Sequence, residues 1–289
     1  MTNTSIVFHN KESIKKIVIR YLVCLIPLII YGIYKNGFLL YTRDLIFFLS
    51  IFKIIYLLII SLIVYIVIDK LLFKKREFWS MDLLFLLIIP LFIPPNINIL
   101  LYSIVLFVSF FLSNILEKKF KFNKIAFCKL VIIAAIVIFS NYTYQNVAEG
   151  MHIYSLNYWD YLWGRYSGGI ASTNIIFGIF ILLIFSTFKS YKKIIAISSL
   201  LAFIILSFLL SGFDSMVFIS SSAILGFILL SIDSLSTPHT KRAMLLYGII
   251  SGIITSFLTI YVNSNEGVFI STLFLSFFSS TLDKIVERW

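Results

Sequence analysis

The residues best suited to hold a ligand form the segment SGGIASTN, residues 167–174. Gly168 and Gly169 leave backbone N–H groups unhindered, and Ser172 and Thr173 add hydroxyl groups where an apolar helix begins. Backbone amides at a helix N-terminus attract an anion or a phosphate group. The alternative is a tight helix start in which Ser172 or Thr173 is an ordinary polar residue of the first turn.

A second polar segment, DSLSTPHTKR at residues 233–242, holds Asp233, Ser236, Thr237 and His239. It is also explained as a solvated turn whose two basic residues only set the membrane topology. A lone histidine is not a metal site, and the other two histidines lie far away in the sequence. The chain has no serine–histidine–aspartate spacing, no Walker motif, no CxxC motif and no twin-histidine motif. Any redox chemistry must therefore come from a bound cofactor.

These polar segments interrupt a chain whose composition is typical of a membrane protein. Of its 289 residues, 60% are hydrophobic and only 13% are charged, which is too apolar for a soluble domain of this length. The net charge of +11 does not indicate nucleic-acid binding, because the basic residues fall in short groups between apolar runs. Both cysteines lie inside apolar runs, so neither a disulfide framework nor a zinc site is expected.

Ten apolar runs are predicted to form membrane helices. They are residues 17–34, 45–69, 81–93, 98–116, 126–141, 170–188, 194–211, 215–232, 243–262 and 267–283. The shortest run, 81–93, contains Pro90 and is followed by two prolines, a pattern typical of the broken helices that form buried sites in transporters. Most lysines and arginines fall in alternate loops, which predicts that both chain ends are cytoplasmic.

The predicted fold is an all-α integral membrane protein with about ten transmembrane helices in two five-helix halves. Because each half has an odd number of spans, a duplicated half would be inverted in the membrane. The predicted division is a cytoplasmic N-terminal segment at 1–16, a first half at 17–141, an outer loop at 142–169 and a second half at 170–289. The aromatic outer loop is explained either as an interfacial helix or as a lid over a ligand.

The C-terminal quarter carries a resemblance to a known family. IDSLSTPHTKRAMLLYGIISG, residues 232–252, is similar to the pattern TDPVTSP-x-TP-x-G-R-x-x-(Y/F)-G-x-x-x-G. NSNEGVFISTLFLSFFSSTLDK, residues 263–284, is similar to G-x-x-x-EG-x-x-F-A-x-L-x-x-N-x-x-x-P-x-(I/L)-D. The matching residues are Asp233, Ser236, Thr237, Pro238, Arg242, Gly248, Gly252, Glu266, Gly267, Phe269 and Asp283.

Two further stretches extend this resemblance toward the N-terminus. SGGIASTN is similar to PGSIGETS, with Ser172 in place of the glutamate, and the stretch from Asp82 to Pro94 and Pro95 is similar to D-x-x-x-x-TGLLLALxLPP. The patterns are those of the RnfD/NqrB family of membrane subunits, which the sequence resembles over about residues 15–289. One departure is KKFKFNKIAFCKL, residues 118–130, where the family has a segment of the form GG-x-G-x-N-x-FNPA.

The resemblance implies a membrane subunit of an ion-translocating electron-transport complex, of the Rnf or Na⁺-translocating NADH:quinone oxidoreductase type. Such a subunit would help to couple electron transfer through flavin to Na⁺ or H⁺ translocation, and it would not be catalytic alone. Its partners would be other membrane and peripheral subunits and membrane lipid, with no nucleic acid. It would be a multi-pass protein of the cytoplasmic (inner) membrane. The alternative is a flavin-free structural scaffold or a transporter-like member of the same family.

The resemblance also implies particular site residues. FMN or riboflavin would be bound non-covalently, because the family's flavin-attachment motif, D-x-x-(S/T)-GAT, does not occur in residues 142–166. The predicted cofactor-binding residues are Gly168, Gly169, Ile170, Ser172, Thr173, Ser236 and Thr237. The predicted ion path runs through Asp82, Asp233 and Glu266, because a carboxylate in a helix bundle is costly unless it serves an ion or a partner. Glu266 could also cap the first turn of the last span.

Overall fold

The computed structural model describes residues 13–42, 44, 46–73, 78–140, 158–166, 168–211, 222–262 and 265–287. Within these ranges the chain forms helices joined by turns, with no strand. The expectation of an all-α protein is therefore confirmed. Most of the predicted N-terminal segment 1–16, and residues 142–157 of the predicted outer loop, lie outside the described residues.

The first half contains helices that follow the apolar runs. α1 is Ile14–Ile33, which continues through a π-helical turn, Tyr34–Phe38, into Leu39–Tyr41. α2 is Lys53–Tyr65, preceded by the 3-10 turn Phe48–Phe52 and followed by the π-helical segment Ile66–Leu72. α3 is Met81–Phe92, α4 is Ile99–Leu116 and α5 is Lys124–Ser140. α3 ends just before Pro94 and Pro95, because neither proline can donate the backbone hydrogen bond that would extend the helix.

The remaining helices lie in the predicted outer loop and in the second half. α6 is Tyr158–Trp163, α7 is Ile175–Ser186, α8 is Lys193–Ser211 and α9 is Ala223–Leu230. α10 is Lys241–Tyr261, α11 is Gly267–Phe277 and α12 is Ser279–Glu287. The side chains of Asn174 and Thr240 accept hydrogen bonds from the first turns of α7 and α10, so both helices start at a capping residue.

Five helices are long and apolar enough to cross a membrane by length and composition. They are Ile14–Tyr41, Phe48–Leu72, Ile99–Leu116, Lys193–Ser211 and Lys241–Tyr261. α11 and α12 together form a sixth candidate, bent by 57°, and α3 and α7 are shorter apolar helices. The described residues thus form a multi-pass helical membrane protein, and the count of ten spans remains a prediction.

α1 and α7 pack side by side in opposite directions. Tyr21 near the start of α1 contacts Phe185 at the end of α7, with ring centroids 4.8 Å apart. Tyr31 further along α1 contacts Phe177 at the start of α7, with centroids 5.9 Å apart. We call the end of the bundle that holds the start of α1 the first end, and the opposite end the second end.

The helices of the two halves make contacts in corresponding pairs. In the first half, α1 packs on α2 and α3, α2 packs on α3 and α4, and α5 packs on α3 and α4. In the second half, α7 packs on α8 and α9, α8 packs on α9 and α10, and α11 packs on α9 and α10. The halves meet where α1 contacts α7 and where α5 contacts α11.

Candidate functional site

At the second end, the segment 168–173 crosses the break that follows α3. The Ala171 N–H donates to the Leu91 carbonyl and the Ile170 N–H donates to the Ile93 carbonyl, both at 2.9 Å. Leu91 needs this donor because the residue four positions later, Pro95, has no N–H to continue the helix. Two amides of the segment that was predicted to hold an anion are therefore bonded to the chain itself.

Gly169 makes this crossing possible. A Cβ atom at this position would lie 2.9 Å from the backbone of Phe92, a distance that side-chain carbons do not reach without movement of the backbone. The glycine therefore serves the close approach of two backbone segments, one from each half of the chain. This use of the glycine is structural and leaves no space for a ligand between the two segments.

Lys35, from the π-helical turn of α1, reaches into the same crossing. Its Nζ donates to the Thr173 hydroxyl at 2.7 Å and to the Tyr166 carbonyl at 2.6 Å. The Thr173 hydroxyl in turn donates to the Gly164 carbonyl at 2.8 Å. Lys35 is only 1% exposed, and no carboxylate among the described residues lies within 4 Å of its ammonium group. The bonds to neutral oxygens partly replace the water that this charge has lost.

The turn formed by Gly168, Gly169, Ile170, Ser172 and Thr173 does not fit a flavin. The neighbouring cavity, which Ile170 lines together with residues of α1 and α2, measures about 20 Å³. That volume holds roughly one water molecule, whereas ligand pockets usually measure about 300–1,000 Å³. Within the described part of the chain, the buried hydroxyl of Ser172 has no hydrogen-bond partner.

At the first end, the loop 231–240 is built around Asp233. The Asp233 carboxylate is buried and accepts hydrogen bonds from the Ser236 hydroxyl at 2.7 Å and from the Leu235 N–H at 3.1 Å. The Thr237 hydroxyl donates to the Asp233 backbone carbonyl at 2.9 Å. Burial raises the pKa of the Asp233 carboxyl, and the hydrogen bonds from Ser236 and Leu235 act against that shift. The hydroxyl groups of Ser236 and Thr237 thus shape the loop around the carboxylate.

The start of α5 lies between Asp233 and Asp82. The Asn123 side-chain amide donates to the Ser236 hydroxyl at 3.4 Å, and Ser236 bonds to the Asp233 carboxylate. The Lys124 ammonium donates to the Asp82 carboxylate at 2.7 Å. Two predicted ion-path carboxylates therefore lie at the same end of the bundle, joined by two consecutive residues of the segment that departs from the family pattern.

Glu266 lies apart from these two carboxylates. It forms an ion pair with Lys129 of α5 and is 8% exposed. Its side chain makes no capping hydrogen bond to α11, so the expectation that it caps this helix is wrong. The reason is that the carboxylate turns toward the Lys129 ammonium, which also lies 4.1 Å from the centre of the Phe269 ring. Since Phe269 packs against Phe92 of α3, the pair lies where α3, α5 and α11 meet.

Comparison with family models matches residues 121–288 to the NQR2, RnfD, RnfE family. The chain belongs to this family. The matched region includes the segment 168–173, the loop 231–240 and both members of the Lys129–Glu266 pair. A comparison with curated proteins found no match. Family membership confirms the resemblance seen in the sequence and identifies an RnfD/NqrB-type membrane subunit.

Sequence reasoning missed the buried lysines of this family member. Lys124 and Lys129 lie close to the boundary between the fourth and fifth apolar runs, where basic residues predict only the membrane topology, and Lys35 directly follows the first run. Their position in the sequence could have indicated buried partners, because burying a lysine within or beside an apolar run costs free energy unless its ammonium group has a partner. The identity of each partner could not be found in this way.

A groove of about 550 Å³ opens beside the crossing, between α1, α6 and α7. Its lining is largely apolar and aromatic and consists of Pro27, Ile30, Tyr31, Tyr34, Trp163, Arg165 and Phe177. The Tyr31 hydroxyl donates to the Trp163 carbonyl, which ties α1 to the end of α6. Arg165 brings the single charge of the lining and also pairs with Asp160 at 3.5 Å. The groove therefore offers flat aromatic faces with one positive group.

Proposed function

We propose that this chain is the membrane subunit of an Rnf- or Nqr-type complex in which electron transfer is coupled to Na⁺ or H⁺ translocation. The observation that carries this proposal is the family match over residues 121–288, which includes the loop that holds the buried Asp233. The arrangement of Asp82, Lys124 and Asp233 at one end of the bundle supports an ion path there. The chain would act only together with other membrane and peripheral subunits.

We also propose that the two five-helix halves are an inverted repeat. The paired contacts support it, because each packing partner in the first half has its counterpart in the second. α3 and α9 occupy equivalent places in this pattern, and each is followed by a non-helical segment that contains proline. α1 and α7 also run in opposite directions, as an inverted repeat requires.

In the proposed ion path, the carboxylates of Asp82 and Asp233 at the first end would bind an ion or a proton one after the other. Lys124 places its ammonium group 2.7 Å from the Asp82 carboxylate. Asp233 is buried and has a raised pKa, so it can keep a proton in conditions where an exposed aspartate would lose it. The two carboxylates thus have different partners, an ammonium group for Asp82 and a hydroxyl and a backbone N–H group for Asp233.

We place the flavin predicted by the resemblance in the groove between α1, α6 and α7. The rings of Tyr34, Trp163 and Phe177 could pack against an isoalloxazine ring, and Arg165 could bond to a phosphate or a ring carbonyl. Its volume of about 550 Å³ lies within the usual range for ligand pockets. When bound there, FMN or riboflavin would supply the redox chemistry that no side chain of this chain provides.

Flavin content is the first test of this proposal. Protein purified with its partner subunits is expected to release flavin into the supernatant after acid precipitation, as measured by absorbance. Trp163→Ala should weaken flavin binding roughly tenfold, because loss of one stacking ring costs about 1–3 kcal/mol. The matched control is Trp159→Ala, which alters an exposed tryptophan of the same helix outside the groove lining.

Two outcomes would contradict the placement of the flavin. Flavin that stays with the precipitate is covalently attached, and equal loss in both tryptophan variants means that the groove is not the site. A folded protein that carries no flavin but co-purifies with other membrane subunits favours the second candidate function, a flavin-free scaffold or transporter-like member. The closed turn at Gly169 is the observation that favours this alternative.

A further inference from the structure

Three backbone carbonyl groups of the loop 231–240 converge on one ammonium group. It belongs to Lys192, the residue before α8, whose Nζ donates to the carbonyls of Ser234 and Thr237 at 2.9 Å and of Pro238 at 2.8 Å. The three oxygens come from a stretch of five residues, so the loop itself is folded around the charge. The ammonium thus takes the position that a bound cation would take.

Two carboxylates add negative charge near this point. Asp233 and Asp283 both act electrostatically on the Lys192 ammonium. The Asp283 carboxylate also accepts hydrogen bonds at 3.0 Å from the N–H groups of His239 and Thr240. The loop is therefore held by a cation on its carbonyl groups and by an anion on its amides. Both carboxylates favour a positive charge at the carbonyl cluster.

Such a cluster needs a positive charge. Carbonyl dipoles that point at one spot repel each other, and in channels they replace the water around a monovalent cation. Irregular backbone after a short membrane helix is also where transporters coordinate Na⁺. The loop 231–240 follows α9, which has only eight residues. It is therefore also a stretch of irregular backbone after a short helix.

We propose that the carbonyl groups of Ser234, Thr237 and Pro238 form a monovalent-cation site that the Lys192 ammonium occupies as a tethered ligand. Free Na⁺ or K⁺ and the ammonium are then competitors for the same oxygens. While Lys192 is in place, it closes the site to free cations and orders the loop that carries Asp233. Its removal opens the site without removing any of the oxygens.

The experiment replaces the ammonium and supplies a free cation. Lys192→Met keeps a long side chain without its charge, and Lys193→Met is the matched control at the exposed neighbouring position. Thermal unfolding of the purified full-length chain is measured in NaCl, KCl and choline chloride at equal ionic strength. Lys192→Met should unfold several degrees lower in choline than the wild type and should regain most of this loss in NaCl or KCl. The wild type and Lys193→Met should unfold at the same temperature in all three salts.

Two further substitutions of Lys192 test whether the positive charge, and not the side chain as such, stabilises the loop. Lys192→Arg retains the charge and should behave as the wild type does. Lys192→Ala leaves space for methylammonium, which should raise its unfolding temperature more than choline does. If Lys192→Met does not fold, Lys192→Ala is measured in the same three salts in its place, because it also leaves the carbonyl oxygens open to a free cation.

The proposal is overturned if folded Lys192→Met is equally stable in the three salts. It is also overturned if Lys193→Met shows the same salt preference, because the cation effect would then arise elsewhere. The experiment measures binding to the chain alone. Its result therefore does not depend on whether the complex translocates ions or carries flavin.

Discussion

Lys129→Met is expected to lower the free energy of unfolding by about 3–5 kcal/mol, the usual cost when one member of a buried ion pair is removed. The substitution leaves the Glu266 carboxylate buried without its ammonium partner. It also removes the contact between the ammonium and the Phe269 ring. The measurement is denaturant-induced unfolding of the purified protein, followed by circular dichroism.

The double variant Lys129→Met/Glu266→Met decides whether the ion pair causes this loss. Replacing both charges by apolar side chains of similar length is often neutral, because no uncompensated charge remains in the interior. We therefore expect the double variant to recover most of the stability lost by Lys129→Met. Lys284→Met, at an exposed position of α12, is the control and should change the free energy of unfolding by less than about 0.5 kcal/mol.

Additive losses in the double variant would contradict this account of the pair. They would mean that Lys129 and Glu266 contribute separately, through other contacts. A measured coupling would instead show that the pair holds α5 against α11, where the two halves meet. This position also separates Glu266 from Asp233, because the Glu266 carboxylate is bound to an ammonium group whereas the Asp233 carboxylate accepts hydrogen bonds from a hydroxyl and a backbone N–H group.

The apolar runs predicted the helices well because membrane helices are defined by length and apolar composition. The second run, 45–69, corresponds to the crossing helix Phe48–Leu72, and the short run 81–93 corresponds to α3 with its proline-determined end. The correspondence between the two halves is harder to recognise in the sequence. It lies in which helices pack against each other and not in similar residues at corresponding positions. In the sequence, the inverted arrangement was predicted from the odd number of apolar runs in each half.

The contacts of the candidate site could not be predicted, because they join residues far apart in the chain. Lys35 and Thr173 are separated by 138 positions, and the sequence of neither segment specifies the other. The glycines of the turn indicated an anion site by residue type alone. The amides of the next two residues, Ile170 and Ala171, instead donate to the carbonyls of Ile93 and Leu91. Of these two carbonyls, that of Leu91 lacks a helical donor because the residue four positions later is Pro95.

Gly252→Ala is expected to lower the free energy of unfolding by roughly 1–3 kcal/mol, the usual cost of overpacking a tight contact. A Cβ atom on Gly252 would lie 2.5 Å from the Ser199 carbonyl oxygen and 2.8 Å from the Ala202 Cβ atom, so α8 and α10 would have to move apart. Gly248 and Gly252 form a G-x-x-x-G motif, which lets two membrane helices approach closely. The measurement is the same denaturant titration.

Gly178→Ala is the matched control for this prediction, because Gly178 is also a buried glycine within a membrane helix, α7. A Cβ atom there would lie 3.4 Å from the Leu225 side chain, an ordinary contact distance. Alanine favours a helix over glycine by about 0.8–1.0 kcal/mol, so this variant should be neutral or slightly more stable. The same chemical change is thus expected to have opposite signs at two positions. If Gly252→Ala were also stabilising, helix propensity would outweigh the close approach of α8 and α10, and the glycines of the motif would not be needed for packing.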